Sequence, residues 1–206
     1  MENINNPTGD TNPEVKSKFR IALENFWELI KFAAIALLIV IPIRMFIAQP
    51  FLVSGESMFP TFHDGEYLII DELSYIIGNP NRGDVIVFRY PADLKRFFIK
   101  RIIGMPNEEV SINNGEVTII NTEYPEGFKL VEPYIDEKFT TTSTYKTGDG
   151  EYFVMGDNRN RSSDSRTWAE PTVTKLTDKL IIGRAFLRLL PLKDISYLPG
   201  YYKEDK

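Results

Sequence analysis

The chain has no cysteine among its 206 residues. That excludes disulfides, thiolate metal sites and a cysteine nucleophile, though it says nothing of compartment. Histidine is almost missing too, His63 being the only one. A multi-histidine metal centre is therefore ruled out, and any Ser-His-Asp triad would have to use that residue. No acid partner stands at a recognisable spacing from His63, so it is read as a surface or turn residue. Nor is there a long basic block, and the net charge is only -5. This argues against a nucleic-acid binder held mainly by phosphate contacts. Long apolar runs are scarce as well. Phe32 to Ile43 falls short of the roughly 20 residues that a bilayer crossing needs.

What is present is ordinary for a folded chain, with 43% hydrophobic and 26% charged residues. The length suits one anchored domain carrying a subdomain. Residues 1–25, rich in Asn, Pro, Thr and Gly up to about Val15, are read as a disordered cytoplasmic tail. Residues 26–48 are read as a transmembrane signal-anchor helix. Its apolar run is extended by Met45-Phe46-Ile47-Ala48, and Lys31 and Arg44 can snorkel toward the headgroups. Phe26 and Trp27 suit an interfacial belt. A buried soluble helix is the bland alternative. A cleaved signal peptide is disfavoured, because the segment starts too far in and lacks a small-x-small exit. Lys16, Lys18, Arg20 and Lys31 precede the apolar run of the span, and after Arg44 no Lys or Arg occurs until Arg82. The positive-inside rule then puts the amino terminus in the cytoplasm and the rest outside.

Beyond Gln49-Pro50 the texture becomes that of strands. Tyr67–Asp71, Asp84–Tyr90 and Phe97–Ile103 are β-branched and aromatic, each bounded by Gly, Pro, Asn or Asp. Glu109–Asn113 and Glu116–Ile120 predict a hairpin around Asn114-Gly115. Thr122 to Gly150 is polar and Thr-rich, an excursion from the main sheet. Strand texture returns at Glu151–Met155 and Leu180–Leu189. The expected fold is mostly β: a membrane helix, a main β domain over 49–106 and 151–192, a smaller β subdomain inserted at 107–150, and a tail over 193–206.

Three segments can carry chemistry: Ser54-Gly-Glu-Ser57-Met-Phe-Pro-Thr61, Phe98-Ile-Lys100-Arg-Ile-Ile-Gly104, and Gly156-Asp-Asn-Arg-Asn-Arg-Ser162-Ser-Asp-Ser-Arg166. Singly, each has a dull reading: Ser57 shapes a turn, Lys100 takes the solvent face of a strand, and Gly156-Asp157-Asn158 turns the chain. Together and in this order they resemble the three main signatures of bacterial type I signal peptidases. The likeness extends through Gly83 to Pro91 and the preceding apolar segment with Pro50-Phe51.

The resemblance implies a serine endopeptidase, without cofactor or metal, with Ser57 as nucleophile and Lys100 as general base. A lysine at its reference pKa of about 10.4 is protonated at neutral pH, so burial must lower that value before the amine can take a proton. By the same likeness Ser162 orients the amine, and Asp157, Asp164, Arg101 and Arg166 form supporting ion pairs. Pocket walls map to Phe51, Val53, Met58, Val87, Phe98 and Ile99, which leave room for small side chains of the signal peptides of exported preproteins. The Ser57 amide would serve the oxyanion. Gly55 offers no hydroxyl there, and Ser54 is a nearby alternative. The lipid bilayer is the other implied partner, and the implied site is the cell membrane, single-pass, with the catalytic domain outside. Asn107 stands where relatives commonly have glycine, and Asn tolerates positive φ. Two alternatives stay open: a self-cleaving or regulatory Ser-Lys protease with a related β fold, and a non-catalytic anchored β domain.

Overall fold

The computed structural model describes residues 18–46, 48–168, 175–198 and 200. The chain divides into two units, Met1–Ile43 and Arg44–Lys206. Helix α1 runs over Lys18–Phe46, 29 residues, so it begins earlier than residue 26 and takes in part of the expected tail. The rest of that tail, residues 1–17, lies outside the described residues. Among the described residues no helix is long and apolar enough to cross a membrane. Glu24, Glu28 and Lys31 interrupt the first half of α1, and nothing is described of the side chains of residues 42–46 at its end. The apolar side chains from Phe32 to Ile41 that are described are mostly exposed, and at successive positions 37–41 they point to every side of the helix.

The second unit is mostly β, as the residue pattern predicts. Its strands are β1 (Ala48–Leu52), β2 (Tyr67–Asp71), β3 (Val85–Tyr90), β4 (Asp93–Gly104), β5 (Glu109–Asn113), β6 (Glu116–Ile120), β7 (Phe128–Lys129), β8 (Ser143–Lys146), β9 (Glu151–Met155), β10 (Leu176–Thr177), β11 (Ile181–Leu190) and β12 (Ser196–Tyr197). Short helices α2 (Leu73–Ile77) and α3 (Ser165–Trp168) follow β2 and precede β10. One antiparallel sheet has the order β1-β2-β11-β3-β4-β9-β10, with β12 added on β11; the other has the order β7-β6-β5-β8. The second sheet is built from the hairpin and the Thr-rich stretch. Asn114 and Gly115 both take positive φ, 47° and 85°, the requirement of the type I′ turn that joins β5 to β6. Asn107 sits at φ 62°, so the departure from glycine keeps its turn.

The tail assigned to 193–206 is in part structured. β12 pairs with β11 through Leu187↔Tyr197 and Arg188↔Ser196. Residues 201–206 lie outside the described residues.

Three apolar clusters fill the unit. Val53, Met58, Phe62, Leu68 and Val85 form one; Ile86, Phe88, Ile102, Val154 and Trp168 form another. The third joins the sheets, with Ile103, Phe153 and Met155 packed on Val110, Ile112, Val117, Ile119 and Phe139. At the joint, the Arg82 guanidinium donates to both Glu108 oxygens at 2.8 and 2.6 Å, and Asn121 and the Met105 amide also donate to that carboxylate. The last five residues of β4 are all buried while its first five are exposed. A strand covered on both faces cannot show polar-out alternation, and Lys100 lies in that covered half.

Candidate active site

Lys100 sits on β4 opposite Ile86 of β3, and Arg101 sits opposite Val85. Consecutive strand residues leave on opposite faces, so the two cations are sent apart. Lys100 is 4% exposed. Its Nζ lies 2.7 Å from Ser57 Oγ and donates to the Ile99 carbonyl at 2.8 Å. The Phe98 ring centroid is 5.3 Å from the same nitrogen. Burial lowers the Lys100 pKa from 10.5 to about 8, against the opposing pull of the Asp164 and Asp157 carboxylates. A sizeable fraction of neutral amine is then available near neutral pH. With the amine neutral, the Ser57 hydroxyl can donate its proton across the 2.7 Å contact.

Ser57 is carried on the turn region after β1. Gly55, at φ 89°, gives its N–H to Asp64 at 2.7 Å. The Ser57 carbonyl is held from the other side by the Asn158 N–H at 3.1 Å. Asn158 also uses its side-chain amide to reach the Glu56 carbonyl at 3.1 Å. Gly156 must be glycine for a steric reason: a Cβ there would collide with the Ser57 carbonyl and with Ser162 Oγ. The Gly156–Arg166 segment is thus pressed against the backbone of the nucleophile-type turn.

The structure pairs Arg101 with Asp157 and Arg166 with Asp164. Arg101 donates from Nε and Nη2 to the two Asp157 oxygens at 2.8 and 2.6 Å, and both side chains are fully buried. Thr61 donates its hydroxyl to the same carboxylate at 2.5 Å. Arg166 meets both Asp164 oxygens at 2.8 and 2.9 Å, while the Gly156 N–H donates to Asp164 at 3.0 Å. Ser162 is placed differently from the expectation. Its Oγ is buried without a hydrogen-bond partner among the described residues, and the Lys100 amine bonds instead to Ser57 and Ile99. His63 is remote in role, its Nδ1 lying 3.3 Å from Glu66 Oε1.

A cleft of about 530 Å³ opens over Ser57 and Lys100. Phe51, Val53, Val87, Phe98 and Ile99 line it, but Met58 does not. Met58 is 1% exposed and packs in the core with Phe62 and Leu68; it follows Ser57 directly, and the turn aims it inward. Leu52, Leu68, Arg96 and Phe97 also line the cleft and were missed. Leu68 shows a signal, since strand alternation puts it on the same face as Ile70. Phe97 shows the same kind of signal, standing two residues before Ile99 on β4, whereas Arg96 carries none.

The family model described as signal peptidase, peptidase S26, matches residues 26–190. The probable signal peptidase I-1 of Synechocystis sp. is 37% identical over 177 residues, 80% of this chain and 85% of that protein. The signal peptidase I of Bacillus amyloliquefaciens is 32% identical over 199 residues, 91% of this chain and 97% of that protein. A solved signal peptidase I from Enterococcus faecalis V583 is 28% identical, covers 51% of this chain and 95% of that chain, and gives a TM-score of 0.42. The chain belongs to the signal peptidase family, peptidase S26, and its class is that of the serine endopeptidases.

Proposed function

We propose that this chain is a membrane-anchored signal peptidase I, cutting signal peptides from exported preproteins after small-x-small sequences. One observation carries the reading: a buried lysine amine 2.7 Å from a serine hydroxyl at the floor of an apolar cleft. Ser57 Oγ attacks the scissile carbonyl while its proton passes to neutral Lys100. The oxyanion is met by the Ser57 N–H. Lys100 then protonates the departing amine, and in the second half it takes a proton from the water that hydrolyses the acyl-enzyme. Asp157, Asp164, Arg101 and Arg166 hold the geometry, and Ser162, an unpartnered hydroxyl beside Gly156, is the candidate to orient the amine once substrate is bound.

The cleft walls Phe51, Val53, Val87, Phe98 and Ile99 support selection of small side chains. Discrimination of a methylene in such a pocket is worth roughly 1–3 kcal/mol. The anchor is supported by α1, whose apolar side chains face all directions, as in a helix made for lipid or a deep core. Lys16, Lys18, Arg20 and Lys31, ahead of the apolar run, support a cytoplasmic amino terminus with the second unit outside. The test is a preprotein assay with an Ala-x-Ala site. Wild type is expected to release the mature chain and Ser57→Ala to release none above background. Equal cleavage by both would reject Ser57 as nucleophile.

A further inference from the structure

The loop between β7 and β8 reaches both the Gly156–Arg166 segment and the end of β4, where the guanidinium groups of Arg159 and Arg101 are buried. Arg159, 3% exposed, donates Nε to the Gly156 carbonyl at 3.2 Å. Its other two nitrogens go to Glu132: Nη1 to Oε2 at 3.1 Å and Nη2 to Oε1. Arg101 has its edge on Asp157, and its face is covered by the Tyr134 ring, with 3.8 Å from Cζ to the ring centroid. The Tyr134 hydroxyl donates to Glu132 Oε1 at 3.0 Å, tying the two contacts together. Phe139, further along the same loop, lies under Arg159 at 5.0 Å and under Arg166 at 5.5 Å. A fork-shaped cation that is bonded along its edge and stacked on its face has little freedom left.

These contacts lead to the reacting serine in two short routes. One goes from Glu132 through Arg159 to the Gly156 carbonyl. The other goes from Tyr134 through Arg101 to Asp157. They converge on Gly156-Asp157-Asn158, whose Asn158 N–H holds the Ser57 carbonyl. We propose that Glu132 and Tyr134 are positioning residues for the reaction, forming a clasp by which the second sheet fixes the loop that seats Ser57. The proposal rests on the signal peptidase reading for its substrate. It assigns the Thr-rich stretch a task in the reaction beyond its part in the second sheet and its apolar cluster. Neither residue touches Ser57 or Lys100; both act through arginines. Small displacements of reacting groups cost rate far more than binding, with ~1 Å worth up to about 100-fold.

The experiment compares full-length wild type, Tyr134→Leu, Tyr134→Phe and Glu132→Asp in detergent, each first shown folded by its thermal transition. Two readouts are taken: kcat and KM on an Ala-x-Ala preprotein, and the rate of Ser57 acylation by a penem followed by mass spectrometry. Tyr134→Leu should lower kcat and the acylation rate about 10-fold with KM within about twofold, while Tyr134→Phe, which keeps the ring, stays within about threefold of wild type. Should Tyr134→Leu not fold, Glu132→Asp carries the test, with a loss in kcat and not in KM. Wild-type kcat in a folded Tyr134→Leu or Glu132→Asp chain, or a loss confined to KM, overturns the clasp. Wild type that acylates but leaves the preprotein intact rejects the substrate, and the clasp then stands or falls on acylation alone. A wild type that does neither rejects both.

Discussion

Lys100 and Arg101 are consecutive on β4 and both buried, yet the two faces of the strand treat them in opposite ways. On one face Arg101 meets both oxygens of Asp157, the Gly83 and Gly200 carbonyls, and the Tyr134 ring. Its charge is compensated and its donors are used. On the other face, among the described residues, Lys100 has a hydroxyl and one carbonyl within hydrogen-bond reach and no carboxylate. Burial without a partner penalises an ammonium, and a lysine escapes the penalty by losing its proton; a guanidinium cannot. The same depth therefore yields a permanent structural cation on one side and a proton acceptor on the other.

The largest expected effect comes from removing the unpaired member. Lys100→Met should lower kcat by about 10²–10⁴-fold, the span of a positioned general base. The wild-type rate should climb as pH rises toward about 8, where Lys100 becomes neutral, and level off above it. Stability should also rise with pH, but over a different window. The folded pKa of about 8 lies below the ordinary 10.5, so between those values the unfolded chain binds a proton that the folded chain does not. Stability therefore rises with pH across that window and is flat below it. At about 1.4 kcal/mol per pKa unit, the penalty at pH 7 is of order 3 kcal/mol. Met escapes it, so urea midpoints at pH 7 should favour Lys100→Met, the difference closing above pH 10.5. A Lys100→Met chain less stable than wild type at pH 7 would break the comparison.

On the other face the sign reverses. Asp157→Asn leaves Arg101 buried with its charge uncompensated, a change that costs about 3–5 kcal/mol. Urea unfolding should show that loss in full. Asp157 also raises the Lys100 pKa, so in the variant the rate should reach its plateau at a lower pH. A plateau moved upward would mean that Asp157 does not act on the amine through its charge.

Much of this was legible in the residues. Tyr67–Asp71, Glu109–Asn113, Glu116–Ile120 and Glu151–Met155 have the bounds expected of them, because β-branched runs closed by turn formers have few other uses. The three motif segments do converge. What escaped lacks a local signal. β7, β10 and β12 are two residues each and exist only because a neighbouring strand offers an edge. Helix α2, five residues long, is too short for a period to show. Solvent-face alternation failed for Lys100, since it assumes one wet face and the end of β4 has none. Met58 was placed among the pocket walls by the family resemblance, whereas the turn sends it to the core. Glu132 and Tyr134 were invisible, as nothing nearby in the sequence tells that a polar loop will cover two arginines.

A third cation separates pairing from burial. Arg161 reaches across the cleft mouth to Glu56 at 2.9 Å, with side-chain exposures of 73% and 62%. The distance is close to that of Arg101 and Asp157, so a pair-counting view would rank the two alike. Water screens both exposed partners and holds them nearly as well apart, which leaves such a pair within about 1 kcal/mol. Arg161→Ala should thus shift the urea midpoint only slightly, and less still in 1 M salt, where the screening length falls to about 3 Å. Because Arg161 lines the cleft and pairs with Glu56, while Lys100 bonds to Ser57, kcat should stay within about threefold of wild type while KM takes whatever change there is. A destabilisation matching that of Asp157→Asn would show that the geometry of the pair, and not its removal from water, sets its worth.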